Sequence, residues 1–207
     1  MAQPEAVTVR KEVVVDTPIE RAFTVFTDRF GDFKPPEHNM LGTPIAETVF
    51  EPRVGGNIVD RAADGSECRW ARILAFEPPD RVVFSWDISP RWTIETDPAQ
   101  TSEVEVRFYA ESSTRTRVEL EHRHIDRHGP GWEAITAGVD GPEGWPLYLD
   151  RYAALAELAP KSSARPPRSS PTPPTRPGSA SGRRAWWTGT WTARQAAPNH
   201  RPWAQSA

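Results

Sequence analysis

The chain has 207 residues, with 25 Lys and Arg against 28 Asp and Glu, so its net charge of −3 is close to neutral. Its single cysteine, Cys68, excludes an internal disulfide and a multi-cysteine metal site, and no apolar run approaches the roughly 20 residues of a membrane-spanning helix. Because the first residues also lack the basic start and apolar run of a signal peptide, we expect a soluble, cytoplasmic protein.

The two parts of the chain differ in charge. Residues 1–159 carry 17 basic and 28 acidic residues, whereas residues 160–207 carry eight basic residues, no acidic ones and nine of the 22 prolines. The second part has no helical or strand periodicity and too little apolar area to offset the entropy of ordering. We therefore predict a folded domain over 1–159 and a disordered basic tail over 160–207. The tail's tryptophans could stack on bases, although an extension without function is favoured, and the acidic domain itself would repel nucleic acid.

The folded part starts with a strand and a short helix. Residues 7–15 are rich in valine and predict the strand. Thr17 and Glu20 have the spacing of a capping box, and Pro18 suits the first position of a helix. The apolar residues that follow share one helical face: Ile19, Ala22, Phe23 and Phe26.

A series of strands with short turns comes next. Gly55 and Gly56 lie between the first two of them, and a phosphate loop is excluded there because the glycines lead into a strand and no lysine follows. We predict a hairpin instead, in which glycine accommodates positive φ. The predicted strands cover residues 44–51, 57–62, 67–76, 81–88, 103–111 and 115–124.

The predicted domain ends in helices. Residues 132–139 predict a short helical piece, and residues 143–158 predict a long amphipathic helix with Pro146 near its start. An antiparallel sheet with helices at its ends is an α+β fold, and only the last helix is long enough to cover the sheet. The apolar face of this helix is formed by Trp145, Tyr148, Leu149, Tyr152 and Ala156.

Several motifs, in this order, resemble a known superfamily. They are DTPIERAFTVFT at 16–27, FEPRVGG at 50–56, DGSECRWARILAFEPPDRVVFSW at 64–86, SEVEVRFYAE at 102–111, RVELEHRHIDRHG at 117–129 and GWPLYLDRYA at 144–153. The chain resembles the START/Bet v 1-like (SRPBCC) superfamily, specifically proteins related to the C-terminal domain of the activator of Hsp90 ATPase. The resemblance implies a helix-grip fold, in which a curved antiparallel sheet of about six to seven strands wraps around a long C-terminal helix.

The resemblance also implies an internal pocket for an apolar or amphipathic ligand, but no single reaction. Relatives often carry Trp-Trp-Pro where this chain has Phe33, Lys34 and Pro35, which places a lysine at the presumed mouth of the pocket. Alternation in the later strands predicts one buried face, with charged residues on the other face of the last strand. From the residues alone, the aromatic side chains on the buried face could fill the interior or line a cavity; the resemblance favours a cavity.

Three histidines are candidate metal ligands. His122 and His124 are two residues apart on one predicted strand, so their rings should project together, and His128 follows. However, His124 lies near the strand end and His128 lies in a turn that we expect to be solvated. The favoured interpretation is that His122 is a satisfied polar group inside the sheet that could bond a ligand; no metal and no cofactor is predicted.

Two carboxylates flank the glycine hairpin. Asp60 or Glu51, if turned into an apolar cavity, would have a raised pKa and could act as an acid or base. The favoured alternative is a pair of surface carboxylates, exposed or paired with Arg53 and Arg72. No Gly-x-Ser-x-Gly motif occurs and Cys68 has no recognisable catalytic partner, so nucleophilic catalysis has no support.

Three functional hypotheses follow. The first is a non-enzymatic domain that binds a small hydrophobic ligand, in a stress response, with residues 18–26 and 30–40 at the mouth. The second is an interaction module with a chaperone or other protein partner, and the third is a cyclase- or hydrolase-like enzyme that uses Asp60, Glu51 or His122. The predicted cavity residues are Phe26, Phe30, Phe33, Asp60, Trp70, Phe84, Trp86, Phe108, His122, Trp145, Leu149 and Tyr152.

Overall fold

The computed structural model describes residues 7–158, and the tail predicted over 160–207 lies outside these residues. Within them, seven strands and four α-helices follow one another, with short 3₁₀ helices at Pro98–Gln100 and Ile125–His128. The strands are β1 (Val9–Val15), β2 (Ile45–Phe50), β3 (Asn57–Ala62), β4 (Glu67–Glu77), β5 (Arg81–Trp86), β6 (Ser102–Ser112) and β7 (Arg115–Arg123). The helices are α1 (Ile19–Asp28), α2 (Phe30–Phe33), α3 (Trp132–Asp140) and α4 (Trp145–Glu157).

The seven strands form a single curled antiparallel sheet in the order β1-β7-β6-β5-β4-β3-β2. Consecutive strands from β2 to β7 are neighbours, and β1 closes the other edge by pairing with β7. The pairing places Val104 of β6 opposite Phe84 on one side and His122 on the other, so apolar positions line up across the inner face. The predicted α+β class and helix-grip fold are confirmed, and the predicted strands lie within two residues of the observed ones.

The start of α1 differs from the prediction. The helix begins at Ile19, and no side chain caps its first turn, so the predicted capping box is wrong. Thr17 is buried instead, and its backbone carbonyl accepts a hydrogen bond from Thr116 Oγ1 at 2.8 Å. This bond joins the entrance of α1 to the start of β7. The predicted apolar face is present, with Ala22, Phe23 and Phe26 buried.

The glycine pair forms the predicted turn between β2 and β3. Gly55 has a φ of +78°, which glycine adopts without strain. A Cβ at Gly56 would lie 2.6 Å from the carbonyl oxygen of Glu51, so a side chain there would clash with the backbone. The turn is also tied to β4, because Ile73 accepts a bond from Gly55 N–H and donates one to the Gly56 carbonyl.

Helix α4 packs on the inner face of the sheet, as predicted. Its first residue, Trp145, is 2% exposed, and its ring lies 5.5 Å from that of Trp86 in β5. Further along, the Tyr152 hydroxyl donates to the Ala22 carbonyl at 2.9 Å, which joins α4 to α1. Aromatic pairs of this kind contribute roughly 0.5–1.5 kcal/mol beyond their burial. Among residues 7–158, no helix is long and apolar enough to cross a membrane.

Candidate functional site

Much of the predicted cavity wall is packed aromatic core. Phe30 and Phe33 lie 4.9 Å apart between ring centres, and Phe26 lies 5.4 Å from Tyr152 and 5.8 Å from Phe108. These rings pack mainly against one another and lie outside the remaining cavity, as do Phe84 of β5 and Leu149 of α4. The structure thus separates most of the predicted aromatic residues from the cavity.

One small cavity remains between the sheet, α4 and the segment after α2. Its volume is about 10 Å³, which is room for about one water molecule. Of the twelve predicted cavity residues, three line it, namely Asp60, Trp70 and Trp86. Five others complete the wall: Lys34, His38, Met40, Ile88 and Tyr148.

A buried ion pair forms one side of this cavity. Lys34 Nζ lies 3.1 Å from Asp60 Oδ2, and the two side chains are 4% and 0% exposed. Asp60 Oδ1 accepts from Thr48 Oγ1 at 2.6 Å, and Lys34 also donates to the His38 carbonyl. Burial lowers the pKa of Lys34, and the Asp60 carboxylate opposes that shift. The interpretation of Asp60 as a surface carboxylate is therefore wrong, because β3 turns it inward between Ile58 and Ala62.

A second polar pair faces the same cavity. The Nδ1 atom of His38 lies 3.1 Å from the Tyr148 hydroxyl, and the two rings are stacked. Burial and the Lys34 ammonium lower the pKa of His38 to about 4, so the imidazole is neutral at pH 7. Burial, and after it the Asp60 charge, raise the pKa of Tyr148 well above its ordinary value. We call Lys34, His38, Asp60 and Tyr148 the Lys34 cluster.

Lys34 also lines a second, outer pocket. This pocket has a volume of about 100 Å³, and Thr48, which donates to Asp60, lies in its wall. Lys34 therefore stands between the inner cavity and a depression on the outside of the fold. The remaining lining residues are Gly31, Pro36, Ile45, Ala46 and Glu47.

A different polar cluster lies behind Trp86. Trp145 Nε1 donates to His122 Nδ1 at 3.2 Å, so in neutral His122 the proton is on Nε2. This Nε2–H donates to Ser102 Oγ at 2.7 Å, and the single hydroxyl proton of Ser102 is then donated to His128 Nε2 at 2.8 Å. In the resulting chain of hydrogen bonds, each group donates to the next, from Trp145 to His128. We call Ser102, His122, His128 and Trp145 the Ser102 cluster.

Both histidines of the Ser102 cluster are neutral at pH 7. Burial, with a smaller contribution from His128, lowers the pKa of His122 to about 3. Burial lowers the pKa of His128 too, against the opposing charges of Glu95 and Asp87. Each nitrogen of His122 is hydrogen-bonded, as the interpretation of a satisfied polar group requires.

Two expectations about the other histidines are wrong. The strand ends at Arg123, and His124 adopts a left-handed φ of 61°, so its ring does not continue the face of His122. His128 is 5% exposed and bonded to Ser102 rather than solvated. Within residues 7–158, no group of three or more His, Cys, Asp or Glu side chains is placed to hold a metal ion.

The other candidate groups lie outside the cavity. Glu51 is partly exposed and pairs with Arg53 at 3.6 Å. Arg72 binds Asp87 through two bonds of 2.9 and 3.0 Å, so it is not a partner of Asp60. Burial and the nearby Asp60 charge raise the pKa of the Cys68 thiol to about 11, which keeps it protonated and unreactive.

Sequence reasoning missed His38 and assigned Tyr148 only to the apolar helix face. His38 lies in a segment, residues 34–44, that contains neither helix nor strand, so no periodicity indicates which of its side chains turn inward. The contact between the two residues joins positions 110 apart in the chain. The usable signal was Lys34 itself, the polar departure from the family pattern.

The sequence model of one family matches most of the folded part. Its description is "Activator of Hsp90 ATPase homolog 1-like protein", and it matches residues 16–157. No curated protein matches this chain.

Solved structures agree with this match. "An anthrahydroquino-Gama-pyrone synthase Txn09 complexed with SUM" is 41% identical, with 74% of this chain and 99% of that chain covered and a TM-score of 0.53. The self-sacrificing resistance protein CalC from Micromonospora echinospora is 26% identical, with 72% and 93% covered and a TM-score of 0.51.

Proposed function

This chain belongs to the family of activator of Hsp90 ATPase homolog 1-like proteins, and within it we propose that the chain binds a flat aromatic small molecule next to the Lys34 cluster. The observation that carries the proposal is the presence of four buried polar side chains around one cavity in an otherwise aromatic interior. Ligand sites combine largely apolar walls with a few polar groups in this way. Tryptophan walls, here Trp70 and Trp86, favour stacking with a flat ring system.

Binding requires the cavity to widen. Pockets for drug-sized ligands measure roughly 300–1,000 Å³, whereas the cavity here measures about 10 Å³. The segment 34–44 supplies Lys34, His38 and Met40 to the wall and is held by few regular backbone bonds. Outward movement of this segment would join the inner cavity to the outer pocket, while the sheet and α4 keep their positions.

The test is direct binding of a simple probe, 2-hydroxyanthraquinone, measured by isothermal titration calorimetry. We expect one saturable site, and Met40→Trp, which places a bulky ring in the cavity wall, should weaken binding at least about tenfold. The matched control is Val54→Trp, at a residue that is 63% exposed in the β2–β3 turn. Absence of saturable binding, or equal affinity in both variants and the unmodified chain, would refute the proposal.

A second function is favoured by the 41% identity to a γ-pyrone synthase, namely closure of an oxygen-containing ring on the bound molecule. In such a step a phenol oxygen adds to a ketone carbon, and the phenol proton passes to a base. The carbonyl oxygen gains a proton, and water then leaves with a proton from the adjacent carbon, so no oxidant is needed. In this proposal the proton acceptors are the neutral imidazole of His38 and the carboxylate of Asp60, and the proton donors are Lys34 and Tyr148.

Ring closure would be followed with a phenol that bears a neighbouring 1,3-diketone side chain, by loss of one water in the mass of the product. Removal of one positioned acid–base group costs about 10²–10⁴-fold in rate. Tyr148→Phe should therefore lower kcat by about 100-fold with KM nearly unchanged. Unchanged turnover in this variant would exclude the proposed role of Tyr148. Binding to a chaperone, the remaining hypothesis, stays a prediction.

A further inference from the structure

The cavity beside Trp70 has unused hydrogen-bonding capacity of two kinds. Trp70 is 2% exposed, and its indole N–H has no acceptor among the described protein atoms. An indole nitrogen is a donor only, so this group requires an acceptor such as an oxygen. A buried donor without a partner costs about 1–3 kcal/mol, so such a group in an interior calls for an explanation.

An unused acceptor lines the same cavity. Asp60 Oδ2 forms an ion pair with Lys34 Nζ at 3.1 Å, and no hydroxyl or amide group among the described residues donates to it. The carboxylate oxygen can therefore still accept from an O–H group. Lys34 has three N–H donors and uses one on the His38 carbonyl, so it too retains a donor.

The dimensions suit a single oxygen atom. Lys34 Nζ lies over the face of the Trp70 ring, 5.9 Å from its centre, so it does not occupy the ring plane in which the indole N–H points. The cavity of about 10 Å³ holds about one water-sized group. A hydroxyl group is of this size, and it both donates and accepts.

We propose that this cavity is the subsite for one hydroxyl group, phenolic or enolic, of the aromatic ligand. Its O–H donates to Asp60 Oδ2, and its oxygen accepts from Trp70 Nε1; both residues lie on the sheet, which keeps its position when the segment 34–44 moves outward. This inference rests on the proposed function and specifies it. The ligand must carry a free hydroxyl group on the edge of its ring system that faces Trp70 and Asp60. A methyl ether of the same ring system cannot donate to Asp60.

The experiment compares two probes, 2-hydroxyanthraquinone and 2-methoxyanthraquinone, by calorimetry at a pH that keeps the phenol protonated. The unmodified chain should bind the hydroxyl probe at least about tenfold more tightly, since an unpaired buried polar group discriminates strongly. In Trp70→Phe, which keeps an aromatic ring but removes the N–H, the ratio should fall to about threefold or less. Trp92→Phe, whose ring packs outside the cavity, is the matched control and should keep the full ratio.

Two results would overturn the subsite while leaving the proposed function intact. One is equal affinity of the unmodified chain for both probes, a comparison that needs no variant. The other is a full hydroxyl preference in Trp70→Phe that circular dichroism shows to be folded. If neither probe binds to the unmodified chain, the subsite and the proposed function both fail.

Discussion

The interior contains two polar clusters that look alike in composition but differ in what they leave unused. In the Ser102 cluster, hydrogen bonds run in one direction from Trp145 through His122 and Ser102 to His128. Its one unused atom, His128 Nδ1, belongs to a residue that does not line the cavity. In the Lys34 cluster, a charged pair faces a cavity next to the unused N–H of Trp70. A buried polar group therefore indicates a ligand site when it has a hydrogen-bond donor or acceptor without a partner and lies beside a cavity. Burial of a polar group alone is not sufficient.

The two clusters also differ in charge. The Ser102 cluster is neutral at pH 7, so its hydrogen bonds stabilise the contact between β6, β7 and α4 at little desolvation cost. The Lys34 cluster holds an ammonium and a carboxylate away from water, where desolvation offsets much of their attraction. We infer that the first cluster stabilises the fold and that the second is kept for function.

The largest effect is expected from Asp60→Ala, which leaves the Lys34 ammonium buried and unpaired. Breaking a buried ion pair in this way costs about 3–5 kcal/mol in the free energy of unfolding. Urea denaturation at pH 7 measures the loss. The matched control is Glu47→Ala on β2, which removes an exposed partner of Arg61 and should cost less than about 1 kcal/mol.

The double variant Lys34→Met/Asp60→Asn completes this prediction. It removes both charges and keeps an oxygen for Thr48, so its stability should lie within about 1–2 kcal/mol of the unmodified chain. Binding of 2-hydroxyanthraquinone should nevertheless weaken at least about tenfold. A double variant that is as unstable as Asp60→Ala would mean that the ion pair itself stabilises the fold, contrary to the comparison.

The next effect is a loss of stability in acid that originates in the Ser102 cluster. The pKa of His122 is about 3 in the fold against 6.5 ordinarily, so between these values the unfolded chain binds more protons and stability falls as the pH falls. From pH 6.5 to pH 4.5, two pH units at about 1.4 kcal/mol each give on the order of 3 kcal/mol from His122. Urea denaturation across this range measures the slope.

His122→Asn removes this titrating group, so the slope should decrease by about one proton whatever the absolute stability of the variant. Some slope should remain, because burial lowers the pKa values of His128 and His38 as well. A variant with the same slope as the unmodified chain would show that His122 is already protonated in the fold, and Trp145 Nε1 could then not donate to its Nδ1.

The fold was predictable because its signals are local. Alternation of apolar and polar residues predicts the bounds of each strand to within two residues of those observed. Helical spacing of four buried residues predicts α4: Trp145, Tyr148, Leu149 and Tyr152. The same alternation failed at His124, because periodicity does not show where a strand ends. The prediction for Asp60 was partly right. Asp60 shares a strand face with buried Ile58 and Ala62, which indicated a cavity residue, but aspartate is usually exposed and this favoured the surface interpretation.

The cavity lining was less predictable than the buried face. Alternation identifies which aromatic side chains turn inward, but which of them fill the interior depends on packing between distant elements, as between Phe26 of α1 and Tyr152 of α4. The segment 34–44 adds Lys34 and His38 to the site without any repeating pattern. Contacts of this kind are fixed only by the three-dimensional arrangement.

The smallest of the three stability effects is expected from Ser102→Ala. This variant tests whether the Ser102 cluster stabilises the fold without contributing to ligand binding. The change removes the link between two buried imidazoles and leaves the Nε2–H of His122 without an acceptor, at a cost of about 2 kcal/mol in the free energy of unfolding. The matched control is Ser112→Ala, at the exposed end of the same strand, which should change stability by less than about 0.5 kcal/mol. Affinity for 2-hydroxyanthraquinone should stay within about twofold of the unmodified chain, because Ser102 does not line the cavity. If Ser102→Ala instead abolished binding at unchanged stability, the assignment of fold and function to the two clusters would have to be reversed.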